Sequence, residues 1–236
     1  MRKSLLAAAA AATLALGLGG CVSLLPKSTP SQMYRFGADT GAPAAVPPAG
    51  PRIGVVLGQV GFPRASTSDG ILTVTGDQTA YIAGARWVAP ARVLFQEAVQ
   101  RAFQAKSRRL QLINVGDVGP AGAVLNLQVT SFEARYASPG AAPTAAVAVS
   151  ARMTASDGRY LDQRTFAASV PAGANSVSAI VSAFDQADDQ VLTQLIGWAD
   201  GQAAAATSGA GSSGGPATVT TTATQSTSTS TTTAPR

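Results

Sequence analysis

Residues 124 to 136 read VLNLQVTSFEARY. Leu125, Leu127 and Val129 fall on one side of an extended chain and Asn126, Gln128 and Thr130 on the other, because successive side chains of a strand point to opposite faces. A long strand with one dry and one wet face belongs to a mixed or antiparallel sheet that is covered on one side only.

The flanking segments supply the rest of such a sheet. Val147, Val149, Ala151 and Met153 repeat the alternation, and Asp157-Gly158 signals a hairpin into a strand from Tyr160 to Val170. Upstream, Ile53, Val55 and Leu57 alternate, and Val60 follows Gln59. Leu72 to Thr75 and Tyr81 to Ala83 form two shorter candidates around Gly76-Asp77, and Leu110 to Val115 a further one. Two stretches carry spacings of three and four instead. A helix starting near Pro90 gathers Ala91, Leu94, Phe95, Ala98, Ala102 and Phe103 on one stripe and leaves Arg92, Gln96, Gln100 and Gln104 wet. A second, capped by Asn175 or Ser176, aligns Val177, Ile180, Phe184, Val191, Leu195 and Trp198. The order is strands, helix, four strands, helix. It predicts an α+β fold: a mixed, mainly antiparallel sheet with two amphipathic helices packed on one face.

The ends of the chain read differently. Arg2 and Lys3 precede an apolar run from Leu5 to Leu18, then Gly19, Gly20 and Cys21. The run has the length of a signal peptide and is short for a membrane span. Cys21 is the one cysteine in the chain, so it has no disulfide partner within it. Leu18-Gly19-Gly20-Cys21 resembles a bacterial lipobox. That resemblance implies cleavage between Gly20 and Cys21 and acylation of Cys21, which would tether the protein to a membrane through two or three acyl chains. An exported protein with an incidental cysteine is the other reading. Val22 in place of Asp is similar to lipoproteins sorted to the outer membrane, facing the periplasm. Residues 1–20 are thus expected to be signal peptide. Residues 21–51 are a spacer rich in proline, in which Met33 to Phe36 can add as a small edge strand. Residues 52–200 carry the folded domain. From position 207 on, 17 of 30 residues are Ser or Thr; with no apolar period to repay the ordering entropy, 201–236 reads as a disordered tail or a glycosylated stalk.

Composition excludes several function classes. Lys and Arg number 17 against 12 acids, a net charge of +5. Removal of Arg2 and Lys3 leaves 15 against the same 12. These charges are scattered and form no basic stripe with interleaved aromatics, which argues against nucleic acid. The chain has no histidine. No Ser-His-Asp or Cys-His arrangement and no HExxH zinc site can exist, which leaves paired carboxylates or Ser-Lys for enzymatic chemistry. The expectation, set by the resemblance described below, is no enzyme, with no cofactor and no metal. Asp185, Asp188 and Asp189 cluster on the second helix, as a solvated face or a seat for a hard cation. Lys106 beside Ser107 reads as an exposed helix terminus. The string from Gly209 to Gly214 matches GxGxxG but follows no strand and opens no helix.

Arg86-Trp87-Val88-Ala89-Pro90 stands just ahead of the first helix. Trp87 is either a core anchor or, with Arg86, a partner-binding pair, since Trp and Arg often carry interface energy. Trp198 raises the same choice. Together with the lipobox, Tyr34-Arg35-Phe36, Ile53-Gly54-Val55 and Val60-Gly61-Phe62-Pro63, this segment makes residues 21 to 200 resemble the ABC-type transport auxiliary lipoproteins. Two departures stand out. Arg64 to Asp69 replaces a Tyr-Leu-Asp type stretch, and Val88-Ala89 replaces Ala followed by an acid. The resemblance implies a non-enzymatic outer-membrane component of an MCE-type lipid transport system. Its partners would be a periplasmic MCE-domain protein and an inner-membrane ABC transporter, with a homo-oligomer possible. An envelope-anchoring lipoprotein and a lipid-binding carrier are the rival readings.

Overall fold

The computed structural model describes residues 30–37, 50–113 and 121–210. Eight strands and two helices follow in the expected order: β1 (Gln32–Tyr34), β2 (Ile53–Gly61), β3 (Gly70–Thr75), β4 (Gln78–Trp87), α1 (Ala91–Lys106), β5 (Leu110–Ile113), β6 (Ala121–Tyr136), β7 (Thr144–Ala155), β8 (Tyr160–Pro171) and α2 (Val177–Ala210). A 3-10 turn, Arg64–Ser66, separates β2 from β3. All eight strands form one mixed sheet. The fold is α+β.

The 16-residue strand β6 organises the sheet. Along one edge it pairs antiparallel with β7 from Ala123 to Arg135. Its other edge is shared. β2 runs parallel to its first half and β3 parallel to its last residues, so β2 and β3 follow one another along the same edge. Beyond β2 lies β5, parallel. Beyond β3 lie β4, antiparallel, and then β1, parallel. The β7–β8 hairpin extends the opposite side. Most paired residues are antiparallel because the β6–β7–β8 meander holds the two longest ladders.

The dry face predicted from VLNLQVTSFEARY is present: Leu125, Leu127 and Val129 are buried. A strict period of two would then turn Phe132 and Ala134 to the wet side. A β-bulge prevents this. The register with β7 slips between Val129 and Ser131, so Thr130 is an extra residue and Phe132 and Ala134 return to the core. A similar slip between Leu57 and Val60 keeps Val55 and Val60 on the core side of β2. There the carboxamide oxygen of Asn126 accepts the Gln59 N–H at 3.1 Å.

α1 covers β2 and β5, α2 covers β7 and β8, and the helices touch each other. The residues of the predicted stripes are buried, except Ala102 and Val177, which are half-buried, and Val99 joins them on α1. Ser176 caps α2, its hydroxyl accepting the Ala179 N–H. Asn175 instead accepts the Tyr136 hydroxyl at 3.0 Å. Asp200 on α2 ties down the corner after α1, accepting from the Ser107 hydroxyl at 2.7 Å and the Arg108 N–H at 2.8 Å. α2 continues to Ala210, ten residues past the end placed at 200. Its alanines at 203 to 206 are the best helix formers, and Ala203 is buried. Residues 201–210 are therefore helix, a correction to a tail opening at 201; residues 211–236 lie outside the described residues.

Candidate docking surface

The N-terminal segment enters the domain at β1. Tyr34 lies level with Trp87 of β4, and two residues later Phe36 is fully buried. Phe36 meets Trp87 edge-on at a centroid distance of 4.9 Å and Phe132 at 4.9 Å. Trp87 also packs on Phe184 of α2 at 5.5 Å. Phe132 stacks on the same Phe184 at 4.9 Å. These four rings join the end of the sheet to α2. Phe36 belongs to a segment that the proline pattern assigned to the spacer, and no periodic signal marks it as core.

Trp87 is thus 2 % exposed. It is a core anchor, which corrects the expectation that it shares a partner-binding pair with Arg86: an indole enclosed by Phe36, Phe132 and Phe184 has no face left for another molecule. Arg86 is exposed, and its guanidinium pairs with the Asp69 carboxylate at 3.1 Å. Asp69 belongs to the stretch that departs from the family pattern, and its carbonyl accepts the Trp87 N–H at 2.6 Å. The surface left open here consists of Met33, Tyr81 and Val88, all large apolar side chains that are about half exposed or more. The Tyr81 hydroxyl donates to the Ala65 carbonyl at 2.8 Å. Trp198 is buried as well. It packs on Phe166, and its indole N–H donates to the Asp162 carboxylate at 2.8 Å. That hydrogen bond, with the Gln163 N–H, holds the Asp162 pKa below its ordinary value.

The helix layer carries an acid cluster at the α1–α2 contact. Asp188 is 1 % exposed, one of its oxygens has no partner, and burial followed by the charges of Asp185 and Asp189 pushes its pKa up to about 8. This corrects the reading of the three aspartates as a solvated face; Asp188 points inward. Asp185 accepts the Gly37 N–H at 2.7 Å, while Arg101 of α1 donates to the Gly37 carbonyl at 2.6 Å. Gly37 has φ +64°, and a Cβ there would stand 2.7 Å from the Ala98 Cβ, so glycine alone fits between the helices. Lys106 does not end in solvent: its ammonium reaches Asp189 and the Thr193 hydroxyl across to α2. Among the described residues no three His, Cys, Asp or Glu side chains converge on a metal-sized site.

Among the described residues nothing covers the sheet face opposite the helices. A shallow groove of about 390 Å³ crosses it, lined by Gln59, Asn126, Gln128, Ser150, Arg152 and Gln163 among others. Cys21 and Gly20 lie outside the described residues, and no described helix is long and apolar enough to cross a membrane.

Residues 34–196 match the family model of the ABC-type transport auxiliary lipoprotein component. The chain belongs to this family. The match begins at Tyr34 in β1 and ends within α2, so it takes in the clamped N-terminal segment as well as the sandwich. Solved structures share the architecture. A Xanthomonas campestris protein, 24 % identical, superposes with a TM-score of 0.64 over 75 % of this chain and 99 % of its own. An uncharacterised protein, 16 % identical, gives 0.55 over 72 % of this chain and 99 % of its own. At these identities the likeness is one of fold. No curated protein matches the chain.

Proposed function

We propose that this protein is a non-catalytic, outer-membrane-anchored auxiliary component of an ABC/MCE-type lipid transport system. It faces the periplasm and docks the periplasmic MCE-domain protein that connects to an inner-membrane ABC transporter. The observation that carries the reading is the family match over 34–196, which starts shortly after the lipobox-like Leu18-Gly19-Gly20-Cys21. Acylation at Cys21 and cleavage after Gly20 belong to the same proposal. Two surfaces are free for a protein partner: the uncovered sheet face around Gln128, and the edge at Arg86.

Crosslinking in intact envelopes tests this. A photoreactive residue replaces Gln128 or Arg86, and an affinity tag follows residue 210, beyond the end of α2. Capture of an MCE-domain protein at either position supports docking, and the position identifies the surface. Capture of wall or surface components alone sinks the transport reading. Cys21→Ser is expected to move the protein from the membrane to the soluble periplasmic fraction; a variant that still sediments with outer membranes argues against the acyl anchor.

A further inference from the structure

We infer that the β1–β4 edge, through Met33, Val88 and Arg35, lies against the lipid surface to which the chain is tethered. The inference rests on the anchored reading of Cys21. Three observations carry it. The first is reach. Eight residues, or nine Cα-to-Cα steps, separate Cys21 from Pro30, where the described chain begins. In any conformation they span at most about 30 Å, whereas a domain of this size is roughly 40 Å across. A tether shorter than the domain, leaving from the β1 edge, cannot let the far side of the molecule meet the bilayer.

The second is what this edge displays. Met33 is 66 % exposed and Val88 47 %. They are neighbours: Met33 lies level with Arg86 across the β1–β4 pair, and the Val88 N–H donates to the Tyr34 carbonyl at 2.8 Å. Two large apolar side chains in water at the point where the tether leaves suit the headgroup and acyl boundary. The third is charge. From residue 21 to 38 the sequence holds Lys27 and Arg35 and no acid. Arg35 is exposed and has no carboxylate partner among the described residues, whereas Asp69 is already taken by Arg86. Cations flanking exposed apolar residues fit a membrane with anionic lipid. A protein partner then falls to the uncovered sheet face.

The test uses the mature acylated chain in vesicles of phosphatidylethanolamine and phosphatidylglycerol. Acylation consumes the Cys21 thiol, so Met33→Cys, Val88→Cys and, as a control on the open face, Gln163→Cys each offer one site for an environment-sensitive nitrobenzoxadiazole label. All three positions lie outside the core, and circular dichroism confirms the fold of each. Flotation of the vesicles is measured first. On reconstitution the labels at 33 and 88 should brighten about two-fold or more with a shift to the blue, and the label at 163 should not change. Flotation with labels at 33 and 88 as wet as at 163 overturns the membrane-facing edge while leaving the anchor standing. Failure to float overturns the anchor and the inference with it. Capture of the MCE-domain protein through Arg86 overturns the edge assignment as well.

Discussion

Asp188 gives the sharpest test of the helix layer. Its carboxyl lies between α1 and α2 with one oxygen unpartnered, and its pKa stands at about 8 against an ordinary 3.8. Arg101 and Lys106 pull the value down, but burial and the two neighbouring aspartates outweigh them. The folded chain therefore keeps a proton that the unfolded chain releases near pH 4. The contribution to stability is fully present below the unfolded value and is lost as pH rises towards the folded one. One group of this kind imposes a slope of at most about 1.4 kcal/mol per pH unit, so the ceiling on its effect at neutral pH is on the order of 4 kcal/mol. Relaxation and water entry reduce the ceiling, and a loss of about 2 kcal/mol is the working figure. Asp188→Asn keeps the shape and removes the titration. Any fixed cost of the new amide is the same at every pH and cancels in the comparison. Urea unfolding of a soluble chain starting after Cys21, followed by circular dichroism between about pH 5 and about pH 8, reads the difference. The variant should gain steadily on the parent as pH rises, by about 2 kcal/mol across the range. A difference that stays flat over that range would refute a raised pKa and the inward placement of Asp188.

Three further outcomes follow from the same geometry. Phe36→Ala should cost about 3–5 kcal/mol in urea unfolding, because it empties the centre of the Trp87, Phe132 and Phe184 cluster; a cost below about 1 kcal/mol would return Phe36 to the spacer. Gly37→Ala should lower the melting temperature, with a cost of about 1–3 kcal/mol, since it combines a left-handed backbone with a Cβ 2.7 Å from that of Ala98; an unchanged melt would mean that the clamp of Asp185 and Arg101 is not formed. Truncation after Ala210 should leave thermal stability and partner capture unchanged, whereas truncation after Asp200 removes buried Ala203 and the Gln202 bond to Asp162 and should lower the melting temperature; equal melts for the two would place residues 201–210 outside the fold.

The candidate site was legible only in part. Arg86 and Trp87 drew attention as residue types that populate interfaces, and their position before α1 was readable. The accessibility of Trp87 was not, because it depends on Phe36, Phe132 and Phe184, which lie 51, 45 and 97 positions from it in sequence. A spacer with six prolines carries no periodicity, so nothing in it announces that Phe36 completes a core cluster. The aspartates at 185, 188 and 189 show the same limit. Their spacing places them on one helix, but which of them turns inward depends on where α1 crosses α2. Lys106 reads as an exposed helix terminus because nothing in the sequence signals that Asp189 and Thr193 lie across from it.

Local periodicity determined the secondary-structure order, the two helical stripes and the single dry face of the sheet, since side-chain direction in strands and helices follows from backbone geometry alone. Composition determined that no chemistry based on histidine is available. The pairing was decided by the tertiary structure. β6 receives β2 and β3 in turn along one edge, an arrangement that no adjacent-strand rule supplies. The bulge at Thr130 is a tertiary decision too: Phe132 packs against Phe36 just after β1, Trp87 of β4 and Phe184 of α2, and one extra residue turns it from the wet face to the dry one.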